Sequence, residues 1–175
     1  MKKAIRTKIK ELRNQLTKAD KEIKDQLIVN QVLNDPNFIS AFKIGIYLAF
    51  NNEVDVIKLL LLTTKEYYAP KINQHDELVF IKIDANSKLI YHQFGNLEPE
   101  EGLIASQLDY LIVPALAISK NLTRIGYGKG YYDKYLAKNK VSYKVGVIYK
   151  LQELDYLKPE SHDISLDYYF TEDSL

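Results

Sequence analysis

Residues 110–149, YLIVPALAISKNLTRIGYGKGYYDKYLAKNKVSYKVGVIY, decide the fold of this chain. Residues 110–113 are a continuous apolar run, as in strands buried on both faces, and Pro114 ends their ladder. Residues 143–149 form a second such run. Between the two lie a glycine cluster and a helical pattern that extends through Leu136. Strand, loop, helix and strand in this order predict a right-handed crossover between two parallel strands.

The rest of the sequence predicts elements that can complete an α/β sheet. One apolar stripe indicates an amphipathic first helix and contains Ile5, Ile9, Leu12 and Leu16. Thr17 and Asp20 resemble a capping box that starts a second helix, which stops at Pro36. Further strands are predicted at residues 43–48, 66–69, 78–83 and 89–92, and a helix at 56–62. We therefore expect one domain, residues 1–175, in a three-layer α/β/α fold with a parallel or mixed central sheet and helices on both faces.

Composition excludes several classes of function. Lys and Arg total 24 against 23 acidic residues, so the formal net charge of +1 favours neither nucleic acid nor an anionic membrane as a partner. The absence of cysteine excludes disulfides and a cysteine nucleophile. The longest apolar runs are far below the roughly 18 residues that a membrane span needs. Because the basic start of the chain has no apolar run of the secretory kind, we expect a cytoplasmic protein.

Three glycines at alternate positions, Gly126, Gly128 and Gly130, form the most informative motif of the chain. Glycine permits a positive φ and removes the Cβ, so such a loop can wrap its N–H groups around phosphate oxygens. The helix that follows adds its positive N-terminal end, and Arg124 and Lys129 add charge. The motif therefore predicts an anion cradle. The alternative is a tight turn between strand and helix, for which one residue with positive φ normally suffices.

The loop matches neither of the common nucleotide signatures. Its glycines do not fit the dinucleotide pattern Gly-x-Gly-x-x-Gly, and no Gly-Lys-Ser/Thr closes a Walker loop. Asp133, three residues into the following helix, is suitably placed to hold Mg²⁺ beside bound phosphates. The alternative role of Asp133 is a helix-start carboxylate that interacts with the helix dipole.

The segment Arg124-Ile-Gly-Tyr-Gly-Lys-Gly-Tyr-Tyr-Asp-Lys-Tyr-Leu136 closely resembles the signature loop of 5-formyltetrahydrofolate cyclo-ligases. Weaker matches follow the chain in order: the basic helix at 2–6, residues 47–55, Pro70-Lys71, Phe94-Gly95, Glu98-Pro99, Val113-Pro114 and His162-Asp163. The resemblance implies an enzyme that uses MgATP to phosphorylate the formyl oxygen of 5-formyltetrahydrofolate, after which N10 attacks the activated carbon. Loss of phosphate then leaves 5,10-methenyltetrahydrofolate and ADP.

The resemblance also implies the residues of the site. Its ATP-binding residues are Lys2, Lys3, Ala4, Ile5 and Arg6, with Arg124, Ile125, Gly126, Tyr127, Gly128, Lys129, Gly130, Tyr131 and Tyr132. Its folate contacts are Leu48, Glu53, Tyr127, Gly128, Lys129, Gly130 and Tyr131. Asp133 and Asp163 are the implied ligands of Mg²⁺. We expect Arg124 and Lys129 to be catalytic, because phosphoryl transfer requires positioning and charge neutralisation.

Several of these residues have an ordinary structural alternative. Glu53 can hydrogen-bond the amino group and ring N–H of a pterin, or be a solvated loop charge. The basic residues at 2–6 can be a solvated helix face. The turn before Arg124 departs from the family pattern at Ser119 and Leu122, so Asn121 is expected to take the left-handed conformation.

Other classes of function are weaker interpretations of the same motifs. Ser161, His162 and Asp163 are adjacent, but sequence neighbours rarely form a catalytic triad and no nucleophile elbow is present. The three histidines lack the spacing of metal ligands. An ATP-using phosphotransferase with a different acceptor, or a non-catalytic module for a phosphorylated metabolite, stays open. We expect small-molecule substrates, no nucleic acid or membrane partner, and a monomer or weak homodimer.

Overall fold

The computed structural model describes residues 2–93 and 95–174. Its helices are α1 (Lys2–Asn14), α2 (Lys18–Asn34), α3 (Pro36–Ser40) and α4 (Tyr131–Lys138). Its strands are β1 (Lys43–Gly45), β2 (Glu66–Ile72), β3 (Leu78–Ile83), β4 (Leu89–Tyr91), β5 (Leu97–Pro99), β6 (Leu108–Val113), β7 (Ala117–Ser119), β8 (Arg124–Ile125), β9 (Val141–Val147), β10 (Glu153–Leu154) and β11 (Tyr168–Phe170). Short 3₁₀ helices span Ile57–Leu61 and Lys150–Gln152.

Six strands form the central sheet, in the order β11, β9, β6, β1, β2 and β3. The first five pair in parallel, and β3 runs antiparallel to β2, from Tyr67 opposite Ile83 to Ile72 opposite Leu78. Strand β6 is central because it is apolar on both faces, as its sequence predicts. The prediction of a mixed sheet is confirmed.

Helices cover both faces of this sheet. Tyr110 and Ile112 of β6 pack in one core with residues of α2 and α3. Leu111 and Val113 point the other way, because side chains alternate along a strand, and they pack with Tyr135 of α4. The three-layer α/β/α prediction is therefore confirmed.

Helix α1 packs away from the central sheet, on a small sheet of β10, β7 and β8. Its Ile9 is buried in a separate cluster with Leu116, Ala117, Ile125 and Leu157. Because β8 leads directly into the glycine cluster, this packing places the first helix beside the glycine loop. Within the described residues, none of the helices combines the length and the hydrophobicity of a membrane crossing.

The predicted helix in the block at 56–62 is a short 3₁₀ helix, Ile57–Leu61, in which only Leu59 is buried and no side chain caps the start. One local prediction is wrong. Leu122, and not Asn121, adopts the left-handed conformation, with φ of 64°. Asn121 instead uses its side chain, which bonds to Ser119, Thr123 and Leu157. The loop before Arg124 is therefore closed by hydrogen bonds of Asn121.

Candidate active site

A cavity of about 500 Å³ opens at the carboxyl ends of β1, β2 and β6. This is the edge at which parallel α/β sheets place their ligands. The glycine loop, residues 126–130, forms one wall, and the segment after β1 forms another. Three further segments contribute to the lining: the start of the first helix, the end of β2 with the stretch before β5, and the C-terminal residues Glu160, His162 and Asp163. The cavity therefore brings together residues that lie far apart in the sequence.

Each glycine of the loop has its own structural reason. Gly128 and Gly130 have φ of 103° and 69°, in the region that side chains rarely adopt. Gly130 is also the N-cap of α4. Gly126 lacks a positive φ, but a Cβ there would lie 2.9 Å from Nη1 of Arg124. A tight turn alone accounts for Gly130 and not for Gly126, whose role is to admit the guanidinium.

Arg124 lies under the loop and is 7% exposed. Its Nη2 is 2.9 Å from Oδ1 of Asp133, and its guanidinium carbon lies 5.8 Å from the ring centre of Tyr132. Among the described residues, neither Nε nor Nη2 has an acceptor in hydrogen-bonding geometry. The same Oδ1 accepts a hydrogen bond from the N–H of Ile164. Arg124 is thus paired by charge with Asp133, and its buried Nε is left without an acceptor in the part of the chain that the structure describes.

Helix α1 contributes two of its five predicted residues to the cavity, Lys2 and Arg6. Nε of Arg6 donates to the carbonyl oxygen of Gly126 at 2.9 Å. Lys3 and Ala4 are exposed and lie outside the cavity lining, and Ile5 packs against the cluster around Ile9. The solvated-face interpretation therefore applies to Lys3 and Ala4 only.

The two predicted metal ligands both line the cavity, and each contacts a cation. Asp133 contacts Arg124, and Asp163 accepts a hydrogen bond of 3.0 Å from Nζ of Lys2. Lys2 also lies 3.1 Å from Glu160. Burial lowers the pKa of Lys2, but the hydrogen bonds and charges of Asp163 and Glu160 outweigh burial and leave the pKa raised. The end of the cavity near α1 is therefore a mixed-charge site.

One group of possible metal ligands meets in the described part of the chain. Ligand atoms of Glu160, His162 and Asp163 lie within 4.8 Å of one another. Asp133 belongs to a different contact, although its Oδ1 bonds the residue next to Asp163. Carboxylate oxygens are donors that Mg²⁺ accepts, so the chemistry of Asp133 and Asp163 fits that ion.

Glu53 is the buried carboxylate of the opposite wall, 6% exposed. Its Oε1 accepts a hydrogen bond of 2.7 Å from the hydroxyl of Tyr127, and its Oε2 accepts one of 2.9 Å from the N–H of Phe50. Burial raises the pKa of Glu53 above its ordinary value and outweighs these hydrogen bonds, which lower it. A solvated loop charge would lack this burial, so that alternative fails. Leu48 lines the same wall.

Comparison with known proteins identifies the family of the chain. The family model of the 5-formyltetrahydrofolate cyclo-ligase family matches residues 1–172. The chain belongs to that family. The resemblance read from the glycine loop is confirmed, and so is the enzyme class.

The cyclo-ligase relatives cover nearly the whole chain. The 5-formyltetrahydrofolate cyclo-ligase of Haemophilus influenzae is 30% identical over an alignment of 173 positions that covers 93% of this chain and 92% of that protein. The structure of Aquifex aeolicus 5,10-methenyltetrahydrofolate synthetase superposes with a TM-score of 0.88 at 29% identity and covers 99% of this chain and 90% of its own. The Mycoplasma pneumoniae enzyme of the same name gives 0.74 at 26% identity, with 96% of each chain covered.

Three polar residues that line this cyclo-ligase cavity or lie directly behind its wall were not predicted as site residues. Lys71 lines the cavity and donates to the carbonyl oxygens of Pro99 and Glu100, at 2.8 and 2.7 Å. Glu98 is buried and lies 3.7 Å from Lys71. Lys71 and Glu98 belong to weak matches to the family pattern, which gave them no predicted role. Phe94, in another of these matches, lies outside the described residues.

The third residue is Arg13, which is 1% exposed and lies behind the cavity wall. Arg13 was not among the predicted site residues. One signal could have identified it, since Arg13 is one of only three arginines in a chain with 24 basic residues.

Proposed function

We propose that this protein converts 5-formyltetrahydrofolate into 5,10-methenyltetrahydrofolate, with ATP cleaved to ADP and phosphate in the presence of Mg²⁺. One observation carries the proposal. The same cavity holds a phosphate-type glycine loop and, on its opposite wall, the buried carboxylate of Glu53. The reaction needs both sites in one cavity, because a phosphoryl group must reach an atom of the bound folate.

The glycine loop is the phosphate end of the proposed site. Its backbone N–H groups and the N-terminus of α4 favour negative charge. Lys2, Arg6 and Arg124 line the same end of the cavity, and Lys129 lies on the exposed side of the loop. A guanidinium close to the loop stabilises the charge that develops on a transferred phosphoryl group, which makes Arg124 the proposed catalytic arginine.

Asp133 and Asp163 are the residues that would hold Mg²⁺. Their donors are carboxylate oxygens, and both face the cavity that the glycine loop lines. The ion would neutralise charge on the phosphates. Each of these carboxylates contacts a cation in the structure, so neither is an unpaired buried anion.

Glu53 is the proposed anchor for the pterin. A carboxylate accepts hydrogen bonds only, so it suits the amino group and ring N–H that a pterin presents side by side. Its pKa is raised by burial, and the hydrogen bonds from Tyr127 and Phe50 oppose that rise. Leu48 supplies apolar surface beside it, and the loop from Tyr127 to Tyr131 closes the gap to the phosphate end.

The proposed chemistry conserves every atom. The formyl oxygen attacks the terminal phosphorus of ATP and ADP leaves. N10 then attacks the formyl carbon and loses its proton, and the carbon–oxygen bond breaks as phosphate departs. No side chain of the protein forms a covalent bond, so the residues act by position and charge.

The route is tested with 5-formyltetrahydrofolate labelled with ¹⁸O in the formyl group. Mass spectrometry of the released phosphate should find one labelled oxygen for each methenyl product formed. Unlabelled phosphate would contradict attack by the formyl oxygen. Production of ADP with no folate product would instead favour the phosphotransferase alternative.

A further inference from the structure

The side chain of Arg13 is buried behind the wall of the cavity that carries Glu53. Arg13 belongs to helix α1 and is 1% exposed, yet it lies outside the cavity lining. Its Nη2 donates to two acceptors, the carbonyl oxygen of Asn51 and, at 3.1 Å, the hydroxyl of Tyr127. Burial of an arginine costs on the order of several kcal/mol of hydration free energy, so a buried guanidinium is expected to make compensating contacts. The hydrogen bonds to Asn51 and Tyr127 are such contacts.

The first contact fixes the turn that precedes Glu53. Asn51 and Asn52 both have left-handed backbones, with φ of 50° and 58°. Asparagine tolerates this conformation better than most residues, but it still needs support from its surroundings. The bond from Arg13 to the carbonyl oxygen of Asn51 provides that support two residues before Glu53.

The second contact fixes the direction of a hydroxyl. The oxygen of Tyr127 accepts from Arg13, and its single proton is donated to Oε1 of Glu53 at 2.7 Å. A hydroxyl has one proton, so acceptance from a cation that has no lone pair leaves only one partner for donation. The three residues form a one-way chain from guanidinium through phenol to carboxylate.

We infer that Arg13 is a positioning residue that orients the carboxylate of Glu53 for the folate, through Tyr127 and through the turn at Asn51. The inference rests on the proposed function, since Glu53 is the proposed pterin anchor. Each oxygen of the Glu53 carboxylate accepts one hydrogen bond, Oε1 from Tyr127 and Oε2 from the N–H of Phe50. The remaining lone pairs are left for the ligand.

The charges around Glu53 make the inference measurable. Two cations act on it, Arg13 and Lys21, and both lower its pKa. Tyr47, Tyr127 and Tyr132 interact with its charge. Tyr149 contacts the backbone carbonyl of Glu53 and bonds to Asp25. Removal of either the guanidinium or the phenol hydroxyl should therefore raise the pKa of Glu53.

The test is the titration of the Glu53 carboxyl carbon by NMR in ¹³C-glutamate-labelled free protein, with Glu53→Gln to assign its signal. In Arg13→Met and in Tyr127→Phe, the titration midpoint should rise by about one pH unit, since loss of a charge-assisted hydrogen bond has that size. The dissociation constant of 5-formyltetrahydrofolate near neutral pH should increase about tenfold in both variants. Arg13→Lys keeps the charge and should recover part of the affinity. Lys8→Met, on the exposed face of the same helix, should change neither value.

Each outcome decides the inference. A midpoint that stays at the wild-type value in Tyr127→Phe overturns it, even if Arg13→Met fails to fold. An equal loss of folate affinity at every pH, with no change in midpoint, would reduce Arg13 to a packing role. A wild-type protein that binds no folate contradicts the proposed function, while the titration of the free protein still tests the link from Arg13 to Glu53.

Discussion

Arg6 donates from its Nε to the carbonyl oxygen of Gly126, across 120 residues of sequence. This bond ties the first helix to the glycine loop. Lys2, one turn earlier on the same helix, pairs with Asp163 near the other end of the chain. The first helix therefore forms a wall of the cavity instead of a separate surface element.

Loss of the Arg6 side chain should weaken ATP binding. Arg6→Ala removes a guanidinium that lies 3.5 Å from where a Cβ of Gly128 would be, so it removes positive charge from the loop. We expect the KM for ATP to increase about tenfold, in line with one charged hydrogen bond. Steady-state kinetics with varied ATP measures this change. Lys8→Ala on the exposed face of α1 is the control, and an equal effect of both variants would contradict a local role of Arg6.

Alanine at two glycines of the loop should act in different ways. At Gly126 the new Cβ would displace Nη1 of Arg124, so kcat should fall about tenfold while the melting temperature changes little. At Gly130 the space is open but φ is 69°, so the variant should lose about 1 kcal/mol of stability from backbone strain. Kinetics and urea unfolding of both variants test this contrast. A stability loss at Gly126 with unchanged kcat would show that Arg124 is not displaced.

Asp133 should be required for turnover and only partly for stability. Asp133→Asn keeps an oxygen that can accept from the N–H of Ile164, but it loses the charge opposite Arg124. We expect kcat to fall about a hundredfold, as for loss of one electrostatic partner in a site. Asp133→Ala should also unfold more easily, because it leaves Arg124 buried beside no anion. Full MgATP-dependent activity of Asp133→Ala would contradict the metal assignment. Arg124→Ala should lower turnover as strongly.

Periodicity predicted the parts of the fold that depend on burial alone. The runs at 78–83 and 110–113 are strands in the structure, as their short apolar patterns predict. Short strands such as β8 and β11 escaped, since two or three residues give no period. The block at 56–62 is helical as predicted, but the sequence pattern does not distinguish the observed 3₁₀ helix, Ile57–Leu61, from an α-helix.

The candidate site was predictable where glycine spacing carried the information. The positive φ of Gly128 and Gly130 follows from the sequence pattern, and so does the helix that starts after them. The contact of Arg13 with Tyr127 does not follow, because it joins residues 114 positions apart and depends on how α1 docks. Long-range polar contacts of this kind need the tertiary structure.

Glu53→Gln should weaken folate binding and flatten its dependence on pH. Burial raises the pKa of Glu53, so on acidification this carboxylate is protonated at a higher pH than an exposed glutamate. Protonation removes one hydrogen-bond acceptor for the folate. Wild-type affinity for 5-formyltetrahydrofolate should therefore decline toward mildly acidic pH. Glutamine cannot titrate, so the variant should have a low affinity with no such decline. Calorimetric titrations over this pH range measure both curves, and a parallel decline in the variant would assign the effect to another group.

Gly146 should be essential for packing on the α4 face of the sheet. It lies in β9, where an added Cβ would overlap Cδ1 of Ile118 and lie 3.0 Å from Cδ1 of Leu166. Gly146→Ala should therefore cost about 1–3 kcal/mol of unfolding free energy by overpacking. Urea unfolding measures this, with Ser142→Ala at an exposed position of the same strand as the control. Equal stability of the two variants would show that the core can absorb the extra methyl group.

The central claim is ATP-dependent closure of the folate ring in this cavity. The most direct measurement is the near-ultraviolet absorbance of 5,10-methenyltetrahydrofolate during incubation of the purified protein with 5-formyltetrahydrofolate and Mg²⁺, with and without ATP. The account predicts a rise that requires ATP and is lost in Arg124→Ala. No rise with ATP, in a protein that binds ATP, would contradict the account and favour a phosphotransferase with a different acceptor.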